Sequence, residues 1–504
     1  MPQPESATES SKAGKQALED SEYGPRVPHE WMILAVVSLA QLMVVLDATI
    51  VTIALPSAQE DLGFSNDSRQ WIVTAYALAF GSLLLVGGRF ADLFGRRTAL
   101  ISGLVGFAIA SALAGIAPNV GVLIAGRALQ GLFGALLAPA ALSALTTTFT
   151  HPAERNRAFA VYGAVAGAGG AVGLLVGGLL TEYLNWRWTL FVNLLIAAVA
   201  LVGARMFVPN HRPEGRPTLD LPGTFLACAG LFLLVFGFSR AESEGWSSPQ
   251  CWVSLIVGLV LLAVFAWWQT RAEHPLLPLR VPGERNRGAS YLGMFITGAG
   301  MFGVFLFLTY YLQTILQYSP VKTGLAFLPM IAALMVAAQV ATIVLLPRVG
   351  PKPLVPLGMA CGAAGMFWLT GLELDSTYAA HVLPPLLVVG VGMGLIFAPA
   401  MAMATYGVQA NDAGVASAMV NTCQQVGGSI GTALLSSLAA TAATNYVKGK
   451  PPSQLLQAQA QLHSYATAYR WSAWFFVAGA VICFFLYRPG APKGDPEGQA
   501  AVHM

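Results

Sequence analysis

From residue 31 to the C-terminal tail the chain alternates long apolar runs with short polar breaks. A helix that crosses a bilayer needs ~20 apolar residues. Fourteen runs approach or exceed that length: about 31–55, 70–90, 98–117, 120–149, 157–180, 188–208, 220–239, 251–269, 288–316, 323–346, 354–372, 379–405, 413–440 and 470–487. Clusters of Pro, Gly and charge separate them. Two boundaries are blurred, one near 405–413 and one at 440–470. The latter, NYVKGKPPSQLLQAQAQLHSYATAYR, reads as a polar loop with room for a short surface helix. Residues 1–30 are polar and lack the basic and short apolar regions of a signal peptide, so the first run is expected to direct insertion. The pattern predicts an all-α polytopic membrane protein.

Composition agrees. The 504 residues are 56% hydrophobic and only 10% charged, with mean hydropathy +0.63. Soluble domains carry roughly a quarter charged residues. The net charge of +3 is spread over short loops, which gives no surface for nucleic acid. The five cysteines, Cys228, Cys251, Cys361, Cys423 and Cys483, are scattered and odd in number, against a disulfide framework. No His stands near a Cys at zinc spacing. None of the seven Lys follows the glycines of a phosphate loop, which excludes an ATP-driven pump in one chain. No cofactor or metal is expected.

Lys and Arg in the short loops set orientation. With the N-terminus inside, inner loops and span ends hold 14 basic residues, among them Arg96, Arg97, Arg205 and Lys352. Outer ones hold 7, among them Arg69, Arg187 and Lys322. Both termini are predicted to be cytoplasmic, with 1–30 and 488–504 as tails.

GGRFADLFGRRTALISG, Gly87 to Gly103, joins the second and third runs, and a worn copy, LPRVGPKPLVPLG, spans Leu346 to Gly358. Gly95, Arg97 and Gly103 match Gly350, Lys352 and Gly358 at a constant offset of 255. The chain therefore divides into two six-span halves, 31–208 and 288–487, with two extra spans in 209–287. Internal duplication of this kind builds many secondary transporters.

On these motifs the chain resembles the fourteen-span drug:proton antiporters of the major facilitator superfamily. GRFADLFGRR, Gly88 to Arg97, is similar to the superfamily's inner-loop signature, and LDATIVTIALP, Leu46 to Pro56, to the antiporters' first-span signature. LIAGRALQGLFGA, Leu123 to Ala135, resembles the fourth-span motif, and GAGGAVGLLVGG, Gly167 to Gly178, the fifth. Leu174 stands where the fifth-span signature usually has Pro, so the kink of that span is in question. The segments Tyr310 to Pro329 and Ala413 to Gly431 are similar to second-half segments of the same branch. The resemblance implies a non-enzymatic, proton-driven exporter of amphipathic drugs or antibiotics in the cytoplasmic membrane.

 That is, the implied protein is no enzyme, uses no cofactor and draws on the proton gradient. Its partners would be an amphipathic small molecule, protons and lipid, with no nucleic acid, and it would act as a monomer. A dedicated exporter of one metabolite, such as a self-made antibiotic, a lipid or a siderophore, fits the same motifs. A membrane enzyme would need an acid, base or metal set at one depth, which the scattered His do not supply.

Asp47 and Arg127 are the charges placed well inside spans, where ionisable residues usually face a polar cavity and pair with one another. Eight residues separate Asp47 from Leu55 and seven separate Arg127 from Val120. At about 1.5 Å per residue both lie ~10–12 Å from the outer surface. Two readings stand: a proton-coupling site, and a static ion pair. In the loop after the second span, Asp92, Arg96 and Arg97 can bond to neighbouring helix ends in one gate state, with Gly88 and Gly95 as turn positions. The resemblance implies that Asp92 and Arg96 stabilise the outward-facing state; the bland alternative is topology charges only. Gly169, Gly173 and Gly177, with Gly178, form a small-residue stripe on span five. It reads as plain packing or as a sliding contact with a second-half span, for which Gly427, Gly428 and Gly431 offer a matching surface. Tyr76, Gln130, Phe302, Tyr310, Gln313, Met419, Asn421 and Gln425 are the candidates for lining a substrate cavity.

Overall fold

The computed structural model describes residues 27–149, 152–210, 220–243, 245–273, 275–408 and 413–490. The tails beyond 27 and 490 fall outside them. So do the side chains of Asp92 and Phe302 and those of a few other residues within helices.

The described residues form fourteen helices of at least 19 residues. In the first half these are α1 (Glu30–Leu62), α2 (Asn66–Phe94), α3 (Arg96–Gly115), α4 (Val120–Thr148), α5 (Pro152–Tyr183) and α6 (Trp188–Phe207). Then come α7 (Leu221–Ser243) and α8 (Pro249–Gln269). The second half holds α9 (Arg285–Tyr310), α10 (Pro320–Val340), α11 (Pro351–Leu369), α12 (Leu383–Thr405), α13 (Ala413–Val447) and α14 (Gln454–Leu486). Single π turns extend α9 to Ile315 and α10 to Leu345. Ser65 and Asn119 cap α2 and α4, each accepting the backbone N–H three residues on.

Eleven helices among the described residues are long and apolar enough to cross a membrane, so the protein is multi-pass. The other three are α2, α5 and α11. In α2 the apolar stretch, Trp71–Leu84, is bounded by residues 70 and 85, whose side chains lie outside the described ones. In α11, Pro351, Lys352, Pro353 and Pro356 dilute the apolar residues. Fourteen long helices are thus present among the described residues, and eleven of them have the length and apolar character of a span there.

A correction concerns 440–470. It is no polar loop: α13 runs to Val447 and α14 begins at Gln454. The Ser453 side chain caps α14 by accepting Leu456 N–H at 3.0 Å. Leu456, Ala460 and Ser464 are buried at four-residue intervals, so this polar-looking stretch is one buried helix face.

The two halves repeat pairing for pairing. Helix α1 packs on α4, α5 and α6, and α9 packs on α12, α13 and α14. Helix α4 takes α2 and α3, as α12 takes α10 and α11; α6 takes α3 and α5, as α14 takes α11 and α13. The offset of 255 holds in three dimensions. Gly95 (φ 87°) and Gly350 (φ 74°) each sit between two helices in a conformation that L side chains rarely adopt. A Cβ on Gly103 would lie 2.8 Å from Leu137, and one on Gly358 would lie 2.7 Å from the carbonyl oxygen of Gly392, the counterpart of Leu137.

The halves meet along two equivalent seams, α2 against α13 and α5 against α10. Helices α7 and α8 pair with each other, and α7 lies along the α2/α13 seam. Cys228 donates its thiol to Ser82 O (3.0 Å) on α2, and Ser437 on α13 donates to Ala241 O (3.3 Å). Asp220 ties the ends of this hairpin together. Its carboxylate accepts from Gly223 N–H (2.9 Å), Trp268 Nε1 (2.7 Å), Gln269 Nε2 (2.7 Å) and Leu276 N–H (3.4 Å). Burial pushes the Asp220 carboxyl up, but the bonds from Gln269, Gly223, Trp268 and Leu276 outweigh it and hold the group below its ordinary value.

Candidate functional site

Asp47 and Arg127 meet. Helices α1 and α4 cross in the first half, and Arg127 Nη1 donates to Asp47 Oδ2. Asp47 is 0% and Arg127 2% exposed, so the pair is sealed from any cavity. Four other side chains and two backbone carbonyls complete the cluster. Gln130, one turn beyond Arg127, donates from Nε2 to Asp47 Oδ1 (2.9 Å) and to Ser111 Oγ (2.7 Å), while its Oε1 accepts from Arg127 Nη1 (2.9 Å). Asn193 on α6 donates from Nδ2 to Asp47 Oδ1 (2.7 Å). Arg127 Nε donates to Ile72 O (3.4 Å), and its guanidinium lies 4.3 Å from the centre of the Tyr76 ring. Tyr76 donates its hydroxyl to Val44 O (3.3 Å).

The carboxylate thus takes a charge-assisted bond from Arg127 and two amide donors, a donor set suited to the ionised form. One atom does not fit. Asn193 Oδ1 is buried without a hydrogen-bond partner. An idle buried acceptor costs about 1–3 kcal/mol.

Several expectations change here. Tyr76 and Gln130, expected along a substrate cavity, lie buried in the ion-pair cluster, because α2 and α4 turn these faces inward against α1 and α3. Tyr310 and Gln313, expected there too, bond across to α1. Tyr310 donates to Gln59 Oε1 (3.0 Å) under the Arg69 guanidinium, 4.0 Å from its ring centre, and Gln313 Nε2 donates to Ile53 O (3.1 Å). Both tie α9 to α1 at the end of the bundle that carries Arg187. At the same end Val321 N–H donates to Glu182 (3.0 Å). Met419, Asn421 and Gln425 are half-buried on α13. Met419 packs beside Phe265 and Val420, and Gln425 faces Gly81 across the α2/α13 seam. Phe302 lies outside the described side chains.

In the loop, Arg96 Nε donates to Ser143 Oγ (2.7 Å) on α4, and Arg97 Nη2 donates to Arg205 O (2.6 Å) at the end of α6. Both bonds stay within the first half. The Asp92 side chain lies outside the described residues. Gly95 is a turn position as expected, but Gly88 is inside α2, where a Cβ would meet only ordinary contact with Pro139 at 3.7 Å. The close approach belongs to its neighbour Gly87, whose Cβ would fall 1.9 Å from Ala135 O.

The glycine stripe also finds a different partner. Cβ atoms on Gly169, Gly173 and Gly177 would strike Val45, Thr49 and Ile50 of α1, in the same half. Only Gly178 meets the second half, 2.7 Å from Pro320 O, next to Gly324, whose Cβ would lie 2.5 Å from Leu174 O. Gly427 and Gly431 pack instead on Phe295 and Ala299 of α9. The duplication explains this: α13 is to α9 what α5 is to α1. With Leu174 in place of Pro, α5 runs unbroken to Tyr183. Gly163 and Gly167 lie outside the described side chains.

Sequence reasoning missed Asn193 and Ser111. Asn193 had a signal, a lone amide in the apolar run TLFVNLLIAAV, of the same kind that exposed Asp47. Ser111 had none, since small hydroxyls are common in spans.

Residues 37–432 match the Major Facilitator Superfamily. The chain is 48% identical over 478 residues to the puromycin resistance protein pur8 of Streptomyces alboniger, covering 94% of this chain and 95% of that protein. It is 39% identical over 475 residues to the cephamycin export protein CmcT of Amycolatopsis lactamdurans, covering 94% of each. Among solved structures, an auto-inhibited peptide transporter of the POT family superposes with TM-score 0.65 at 16% identity, over 92% of this chain and 98% of that one.

Proposed function

The chain belongs to the Major Facilitator Superfamily of transporters, and from that premise we propose that it exports amphipathic drugs or antibiotics in exchange for protons. The carrying observation is the sealed Asp47–Arg127 pair. A charge at the centre of a span costs ~2.5–3.5 kcal/mol on insertion scales, so a carboxylate held at that depth needs a purpose beyond packing. Asp47 is the proton carrier and Arg127 its counter-charge. All fourteen helices span the cytoplasmic membrane with both termini inside, which puts the Arg187 end outside. The two halves rock about a midplane site. In this reading the ties from Tyr310, Gln313 and Val321 close the outer side. Asp92, Arg96 and Arg97 serve the opposite gate state, and Met419, Asn421 and Gln425 contribute to the substrate path along α13.

A dedicated exporter of one metabolite is the second reading. It is favoured by relatives named for one antibiotic each, puromycin and cephamycin.

The test is puromycin-induced proton movement in proteoliposomes. Asp47→Asn is expected to abolish it while downhill substrate exchange persists. Unchanged proton movement in Asp47→Asn would reduce the pair to a structural one. A panel of dyes and antibiotics run beside puromycin separates a broad exporter from a dedicated one.

A further inference from the structure

We propose that Asn193 is a positioning residue that reads the protonation state of Asp47 by turning its side-chain amide over. This rests on the proton-coupling reading above. Two amides touch the carboxylate, and they differ in one respect. Gln130 has both ends engaged: Nε2 on Asp47 and Ser111, Oε1 on Arg127. It is pinned. Asn193 has one end engaged and one idle, with Nδ2 on Asp47 Oδ1 at 2.7 Å and a long contact to Ser111 Oγ at 3.4 Å. Its Oδ1 has no partner.

An ionised carboxylate accepts only, so it needs the Nδ2 end. A protonated one carries an O–H donor, and the idle Oδ1 is the acceptor that lies within one amide rotation of it. Rotation of the Asn193 side chain therefore gives each protonation state a bond, where a pinned amide serves the ionised state alone. The other groups facing Asp47 from the packed helices are Arg127 and Gln130 on α4, Tyr76 on α2 and Ser111 on α3. Arg127 has donors and no acceptor, Gln130 and Ser111 do not titrate, and Tyr76 uses its hydroxyl on Val44 O. None of them presents a free acceptor to the acid. Asn193 lies on α6, so the turnover also places a proton-dependent bond between α1 and α6.

The experiment follows the pH dependence of puromycin-induced proton release in detergent for the full chain, Asp47→Asn and Asn193→Leu. Leu has similar bulk and neither donor nor acceptor. The bond lost from the ionised state is charge-assisted and the stronger of the two. Asn193→Leu should therefore keep proton release but move its half-maximal pH upward by about one unit. Asn193→Ser, which is too short to reach Asp47, should move it the same way and serves if Asn193→Leu does not fold. A wild-type midpoint in both variants, with Asp47→Asn silent, overturns the role of Asn193. Wild-type release from Asp47→Asn overturns the coupling reading itself.

Discussion

Replacing Gly173 by Ala adds one methyl at the tightest point between α5 and α1. That methyl would fall 2.1 Å from Thr49 Oγ1, 3.0 Å from Leu46 O and 3.2 Å from Leu46 Cα. Thr49 cannot simply yield, because its hydroxyl bonds Val45 O (3.2 Å) and Leu46 O (3.1 Å). To restore ordinary contact the helices must part by more than 1 Å, or Thr49 must leave its rotamer. Overpacking of this size costs typically ~1–3 kcal/mol. The backbone displaced is Leu46, the neighbour of Asp47, so transport should fall with stability. Gly173→Leu should be more severe. Gly170, one turn away, would meet nothing within 4 Å and gives the control. Combining Gly173→Ala with Thr49→Ala removes the 2.1 Å contact and leaves 3.0 Å as the nearest, so the pair should recover most of the loss. The assay is thermal unfolding in detergent beside efflux from proteoliposomes. If Gly173→Ala and Gly173→Leu match Gly170→Ala in both, the close approach of α5 to α1 is wrong.

Arg96→Ala removes a charge-assisted bond to Ser143 and should cost ~1.5–3 kcal/mol in thermal unfolding. Ser143→Ala should share the stability loss without the loss of efflux, and normal efflux by Arg96→Ala rejects a gating role. Asp220→Asn should loosen the α7–α8 hairpin by ~1–3 kcal/mol at pH 7. The folded carboxyl is held below its ordinary value, so its stabilisation is present above the unfolded pKa of about 3.9 and is lost as pH falls through the folded value. The unfolding temperatures of Asp220→Asn and the parent should therefore converge below about pH 4, and a gap that is constant with pH contradicts the charge argument.

Helix number, the duplication and the Asp47–Arg127 pairing were legible in the sequence because each leaves a signal the membrane enforces. Apolar length marks a span, a glycine with positive φ marks a break, and a charge in a span demands a partner at its depth. Side-chain destinations were less legible. Tyr76, Gln130, Tyr310 and Gln313 look alike as polar residues in apolar runs. Two of them face into the first bundle and two cross to the other half, which only helix rotation decides. The glycine spacing predicts a close interface and leaves plain packing and a second-half partner both open; the structure gives α1 of the same half as the neighbour. Spacing of four sets how near a helix can come but not which one. The start of α14 was hidden because its buried face is made of Leu, Ala and Ser among Gln and His.

Helix α1 joins these observations. It carries Asp47 at its middle, and one and a half to three and a half turns further on it presents Ile53 O to Gln313 and Gln59 to Tyr310. On its other side it is held by the glycine face of α5, whose far end carries Gly178 against Pro320 and Glu182 on Val321. The three hydrogen bonds that join the halves at the Arg187 end, from Tyr310, Gln313 and Val321, therefore run through α1 or through the helix clamped to it. Close glycine packing transmits displacement because there are no flexible side chains between the backbones to absorb it. A shift of α1 that followed a change of charge at Asp47 would act on both sets of ties at once. The second half has the same packing, with α13 clamped to α9 by Gly427 and Gly431, but Phe302 stands at the position equivalent to Asp47. At this position the duplicated scaffold thus carries a carboxylate in the first half and a phenyl ring in the second, so under the proposed proton coupling the driving charge would act from the first half alone.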